Sequence, residues 1–435
     1  MDKRSVVIPT NRECVDCIKA YVEETRKIQK KTGEECSFVL IDTSPEEVQE
    51  THSVLIDELK SEYKNIKIVY LNDQAQSEFL NKLVASYQTE NPKLLYELLN
   101  PSGLSYGAAA NRTFLVAAAL GSNIVFRRDS DTLPQIKDGK FLFPSDIEDE
   151  YLGKNVCQIK DLLDKNDYAN ELDKMGNNPI LMVGANYLGE WAGDYREMYE
   201  YDPDILKKHV WMNMPHKTSE EVDARIEYRY LQRNSDLHVE DRLQIVIDDL
   251  IEVGNFALKD VFLDVPLLPS EYALSMDYFY HSLFDELLLP KLYHNRHVQH
   301  FHTGERGSEA WFNRYHLGIA KSKVLRRYLA MVYKGISMNR ERILKGGRID
   351  NIEIAKIFEV VSKVSLEEAS VLMDDLADLY SSINIEKYPK VAVLMREQKE
   401  EILLDAQKDI EKYAFLCKEW KALCEHASSI IDSLQ

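Results

Sequence analysis

The chain has 435 residues, of which 45% are hydrophobic and 29% charged, the balance of a folded globular protein rather than a disordered or fibrous one. Its 54 basic and 73 acidic residues leave a formal net charge of −19, which excludes nonspecific attraction of the whole surface to nucleic acid or anionic membranes. A local basic pocket for a small phosphate ligand stays open.

At roughly 150 residues per domain the length predicts about two to three domains. The apolar run Val6 to Ile8 stops at Pro9, too short for a signal-peptide core. The longest apolar stretch, Phe114 to Leu120, falls well short of the ~18 residues of a membrane span. The expectation is a cytoplasmic protein with no membrane span. Six cysteines form no disulfide framework, and Cys14-x-x-Cys17 lacks the second pair that a zinc knuckle needs. These two read as half-buried helix residues rather than a redox pair.

Ser5 to Ile8 reads as a strand ended by Pro9-Thr10-Asn11, after which Cys14, Ile18, Tyr21 and Val22 recur at helical spacing. Ser37 to Ile41 is a second strand, ending at Asp42-Thr43-Ser44, and a helix is predicted from Pro45 to Tyr63. Ile66 to Leu71 is a third strand, ending at Asn72-Asp73. This β-α-β order predicts a parallel sheet with helices on both faces. Ligands of such sheets bind at the carboxyl ends of strands, so Asn11, Arg12, Asp42 and Asp73 are candidates to face one crevice.

There is no GxGxxG after the first strand and no GxxxxGK[ST], which demotes dinucleotide dehydrogenases and P-loop NTPases. Instead a small-residue stretch, Gly103 to Arg112, runs into an Ala-rich helix that opens with Gly107 and includes Asn111. Small residues at a helix start let a backbone or a ligand approach closely. The β-rich run Asn123 to Arg128 then leads to Asp129-Ser130-Asp131, where period-two alternation sets both carboxylates on one side. Such a pair calls for a neutralising cation, Mg²⁺ or Mn²⁺. Late in the chain, His300 and His302 share a strand face, and Arg306 offers a planar fork of donors suited to a diphosphate.

In this order the motifs resemble the metal-dependent GT-A glycosyltransferases, over residues 5 to about 318. The matching pieces are Val7-Ile8-Pro9-Thr10-Asn11-Arg12, Leu40-Ile41-Asp42, Gly107 through Asn111, Asp129-Ser130-Asp131, Gly184-Ala185-Asn186-Tyr187 and the segment Leu274 to Phe279. The resemblance implies an α/β fold with a Rossmann-like mixed sheet flanked by helices. It also implies a nucleotide-sugar site drawn from Pro9, Thr10, Arg12, Asp42, Gly107, Asn111, Arg128, Asp129, Gly184, Asn186 and Arg306. The metal ligands it implies are Asp129 and Asp131 with His300 or His302. Asp277 looks like the acceptor-side carboxylate of the family, although the residue before it is Met276 where the family keeps an acid. The implied donor is a UDP- or GDP-linked sugar, with a glycan, small molecule or peptide as acceptor.

Two regions lie outside those motifs. Residues 190–250, with Trp191, Tyr195, Tyr199, Tyr201 and Trp211, stand where the family places acceptor-side insertions, and their aromatics suit sugar rings or a core. After about residue 320 the pattern is helical throughout, and the division expected is 1–318 catalytic and 319–435 an all-α helical bundle module. Leu403, Ala406, Ile410, Tyr413, Cys417, Trp420, Cys424, Ala427, Ile431 and Leu434 form an apolar seam that must be covered, by preceding helices or by a second copy in a homodimer. Two alternatives accompany the transferase reading: a metal-dependent hydrolase using the HxH and aspartates, and a non-catalytic scaffold.

Overall fold

The computed structural model describes residues 2–164, 175, 178–189, 195–214, 217–227, 241–247, 250–301 and 308–434. Its first elements alternate as the sequence predicts: β1 (Arg4–Thr10), α1 (Val15–Thr32), β2 (Cys36–Asp42), α2 (Glu46–Glu62) and β3 (Lys67–Leu71). Two helices outside the sequence reading, α3 (Asp73–Ser86) and α4 (Pro92–Leu99), then precede the expected Ala-rich α5 (Tyr106–Ala119) and β4 (Ile124–Arg128). Strands β5 (Thr132–Lys137), β6 (Lys140–Leu142), β7 (Met182–Gly184), β8 (Tyr187–Gly189), β9 (Leu243–Val246), β10 (Asn255–Lys259), β11 (Lys291–His294) and β12 (Val298–His300) follow. The main sheet runs β3-β2-β1-β4-β10-β7-β11-β9 and a smaller one β6-β5-β12-β8. β3, β2, β1 and β4 are parallel, and β10 is antiparallel to both β4 and β7. The fold is therefore the expected α/β one with a mixed sheet.

Alternation along each strand feeds two cores. Val7, Val39 and Val69 face α3, α4 and α5, whereas Val6, Phe38 and Ile68 face α1 and α2. Burial on both faces explains why these strands read as continuous apolar runs.

The C-terminal half is helical, as expected, but it is not set apart. A single helix, Glu309–Met338, runs through position 318, where the boundary between 1–318 and 319–435 was expected. One apolar cluster joins Val7 and Val39 to Leu416 and Trp420. The reason lies in the alanines of α5, which let helix Lys399–Ala427 pack closely against it. Trp420 Nε1 donates to the Phe262 carbonyl (2.8 Å) and the Tyr413 hydroxyl to that of Pro266 (2.7 Å). Of the expected seam, Ala406, Ile410, Tyr413, Cys417, Trp420, Cys424 and Ala427 are buried within the chain itself, and its first turn buries Ile402 rather than Leu403. Cys14 and Cys17 are buried on α1 and the turn before it, and burial pushes the Cys14 thiol up to about 12, which disfavours thiolate chemistry there.

No helix among the described residues is long and apolar enough to cross a membrane.

Candidate active site

Chain order reverses direction at β1, which has β2 on one side and β4 on the other. At such a switch point the loops leaving two adjacent strands diverge and open a crevice. A cleft of about 310 Å³ lies there, lined by Pro9, Thr10, Asn11 and Arg12 after β1 and by Arg127, Asp129, Ser130 and Asp131 at the end of β4. Ser105 and Tyr106 at the start of α5, Tyr187, Glu252, Asp277, Tyr278 and His300 complete this part of its wall.

The structure brings five of the predicted chemical groups together: Arg12, Asp129, Asp131, Asp277 and His300. The two aspartates sit in a turn just past β4 rather than inside the strand. Asp131 Oδ2 accepts from Arg12 Nη1 (2.8 Å) and stands 3.5 Å from His300 Nε2. Asp129 Oδ2 accepts from the Tyr187 hydroxyl (2.6 Å), which itself accepts from Gly254 N (2.8 Å). The Tyr187 ring stacks on His300 with centroids 5.2 Å apart. Burial, helped by Asp131, pushes the Asp129 carboxyl above its ordinary range in spite of the Arg127 charge. Two carboxylates crowded in a partly dry cleft behave in this way.

Asp277 lies in a single 3-10 turn, Met276–Tyr278, ahead of helix Phe279–Leu287. Arg127 bridges it to Asp129, with Nη2 3.0 Å from Asp277 Oδ2 and 3.5 Å from Asp129 Oδ1. Burial works against the charge on Arg127, but Asp277 and Asp129 outweigh it and raise its pKa. Its Nε and Nη1 have no hydrogen-bond partner among the described residues. Among the described residues no three His, Cys, Asp or Glu side chains form a group placed to hold a metal ion.

Other expected site residues are engaged elsewhere. Asp42 is fully buried and accepts from His52 Nδ1 (2.8 Å), the Tyr70 hydroxyl (2.9 Å) and Ser44 N (2.9 Å). Burial raises its pKa, and the bonds from His52 and Ser44 more than reverse that. Arg128 points to the other face of β4, where it is clamped between Glu24 and Glu148. Asn111 bridges both backbone groups of Leu267, at 2.8 Å each. Asn186 N donates to His297 Nδ1 (3.1 Å). Gly184 is packed against the Asn255 carbonyl and Ile251. Asp73 is exposed and accepts from Gln49. His302, Arg306 and Trp191 lie outside the described residues. Of the other insertion aromatics Tyr195 lines the cleft, Tyr199 packs on the core, and Tyr201 and Trp211 are exposed.

Gly107 has a packing role. A Cβ there would lie 2.0 Å from the Leu268 carbonyl oxygen, backbone that cannot step aside alone. Gly107→Ala is expected to destabilise the chain by about 1–3 kcal/mol, read as a lower urea midpoint. An unchanged midpoint would show that the 267–269 segment yields freely.

The residue most plainly missed from sequence is Arg127. The alternation that separates Asp129 from Ser130 also separates Arg127 from Arg128, and it sets Arg127 on the Asp129 side. Tyr278, Glu252, Arg225 and Arg326 also line the cleft, and no local pattern marked them.

Residues 3–433 match the family described as a family of unknown function, DUF6271. The chain belongs to that family. No curated protein matches it. Solved structures similar to it include mannosyl-3-phosphoglycerate synthase from Rubrobacter xylanophilus, with TM-score 0.33 and 13% identity, covering 75% of this chain and 74% of that one. A second is the mannosyltransferase PcManGT from Pyrobaculum calidifontis in complex with GDP-Man and Mn²⁺, with TM-score 0.32 and 10% identity, covering 93% and 85%. A third is S. aureus TarS 1–349, with TM-score 0.28 and 12% identity, covering 97% and 91%. Likeness at this level carries no functional argument.

Proposed function

We propose that the chain transfers a glycosyl group from a UDP- or GDP-linked sugar to a hydroxyl acceptor, with Mn²⁺ or Mg²⁺ held at Asp129 and Asp131. The observation that carries this reading is the convergence of Asp129, Asp131, Asp277 and His300 with Arg12 and Arg127 in one cleft at a sheet switch point.

The donor set fits a hard divalent cation in kind: two carboxylates with an imidazole beside them. Burial first, and then the charge of Asp131, raise the Asp129 pKa, and a cation between the two carboxylates would offset both. Sites of this sort take one or two carboxylates and complete their shell with substrate phosphates. When bound, the cation would stabilise charge on the diphosphate leaving group.

The remaining steps belong to the chain's own side chains. Cleavage of the bond between the anomeric carbon and the diphosphate oxygen leaves negative charge on the diphosphate. Arg12 and the unpaired donors of Arg127 supply fixed positive charge for it. Asp277, held by Arg127, would take the proton of the attacking hydroxyl in an inverting reaction. In a retaining one it would orient the acceptor. Tyr187 fixes the rotamer of Asp129 through its hydroxyl. The test is nucleoside diphosphate release from a panel of UDP- and GDP-sugars with Mn²⁺, and no release from any of them, with every acceptor class tried, would count against transfer.

A further inference from the structure

The cleft has a further wall that the donor chemistry leaves unused. Helix Ser219–Ile226 contributes Arg225 to it, and helix Glu309–Met338 contributes Tyr315 and Arg326. On the long helix, Lys323, Arg326 and Arg327 stand at i, i+3 and i+4, so their charges meet on one face.

Lys323 is 2% exposed, and its ammonium donates to the His209 carbonyl (2.8 Å) and to Asn213 Oδ1 (3.0 Å). Arg327 Nη2 donates to the Met212 carbonyl (3.1 Å). All three acceptors are neutral. Burial, and then Arg326 and Arg327, push the Lys323 ammonium well below its ordinary pKa. Arg326 itself makes no hydrogen bond or ion pair with any described residue. Three gathered cations without a carboxylate among these contacts are costly in any protein. They stand out in a chain with a net charge of −19, where acids are plentiful.

We propose that Arg326 and Arg225 bind an anionic group, a phosphate or a carboxylate, carried by the acceptor. Naming the ligand as the acceptor rests on the transferase reading; the anion site itself does not. Seated on this wall, the acceptor would be held by its charge while a hydroxyl of the same molecule reaches Asp277 in the shared cleft. Guanidinium forks suit both groups because each presents paired oxygens.

The test titrates the full chain with inorganic phosphate and, separately, with acetate, following thermal stabilisation. Each titration is run alone and again with saturating nucleoside diphosphate and Mn²⁺. Phosphate or acetate is expected to bind in both conditions. Arg326→Gln should weaken that binding about tenfold, Arg326→Lys should restore part of it, and nucleotide affinity should change less than twofold. Tighter phosphate than acetate identifies a phosphorylated acceptor, and the reverse a carboxylate. The proposal is overturned if neither anion binds the wild-type chain, or if the glutamine variant binds them unchanged. It is also overturned if nucleotide displaces the anion and loses affinity itself in Arg326→Gln, which would assign the arginine to the donor. Should no nucleotide bind, the anion arm still decides this site while the transferase reading fails separately.

Discussion

Asp131→Asn is expected to lower nucleoside diphosphate release by roughly a hundredfold or more while leaving the fold within about 1 kcal/mol of wild type. The substitution keeps the shape of the side chain and removes one charge from the pair that a divalent cation needs. Its structural cost is a weaker contact with Arg12, whose side chain is 17% exposed, and with the His300 imidazole. Arg12→Gln separates the two roles. A variant that loses the ion pair but keeps Asp131 should bind metal at least as well as wild type and lose only the arginine's share of leaving-group stabilisation. Wild-type release by Asp131→Asn in excess chelator would remove the metal from the account.

Arg128→Met is expected to destabilise the chain by about 3–5 kcal/mol, the largest stability effect anticipated here. Arg128 reaches Glu24 with Nε and Nη2, both at 3.0 Å, and Glu148 with Nη2 at 2.5 Å, and none of the three side chains is exposed. Removing the cation strands two buried carboxylates. The effect should depend on pH with a definite sign. Burial raises the Glu148 pKa, but Arg128 and then His294 bring it below the ordinary glutamate value. A depressed folded-state pKa contributes stability above the unfolded value, near 4.3, and that stability is lost as pH falls through the folded value. The gap between wild type and variant should therefore be widest above pH 6 and should narrow below about pH 4.3. Urea unfolding at pH 8 and pH 4 reads it directly. An equal gap at both values would place the cost in packing rather than in charge. The triple variant Arg128→Met, Glu24→Gln, Glu148→Gln should recover much of the loss.

Asp131 and Arg128 show how far the sequence could be read. The strand patterns at Ser5–Ile8 and Ser37–Ile41, the end of the β-rich run at Asp129-Ser130-Asp131 and the late His300 were legible because each rests on local periodicity. Choosing Arg128 for the cleft ignored the same period-two rule that had paired Asp129 with Asp131. Asp42 was legible as a strand-end acid, but its partner His52 lies on α2, a turn of helix away from any motif. Gly107 and Asn111 were visible as unusual residues, and their targets, Leu268 and Leu267, lie some 150 residues on, beyond any window of spacing. The shared core of α5 and helix Lys399–Ala427 escaped for the same reason. An apolar seam announces that it must be covered and does not say by what. Arg326 is the sharpest case, since one exposed-looking arginine on a long helix gives no sign that it lines the cleft.

The central claim is tested most directly by thermal unfolding of the full chain with UDP, GDP and their common sugar conjugates, each with Mn²⁺ and with chelator. One nucleotide series should raise the unfolding temperature in Mn²⁺, by an amount corresponding to about 2.7 kcal/mol at a hundred times its dissociation constant, and should lose that effect in chelator and in Asp131→Asn. Stabilisation by Mn²⁺ alone, with no added effect of any nucleotide, or no stabilisation under any condition, would contradict it.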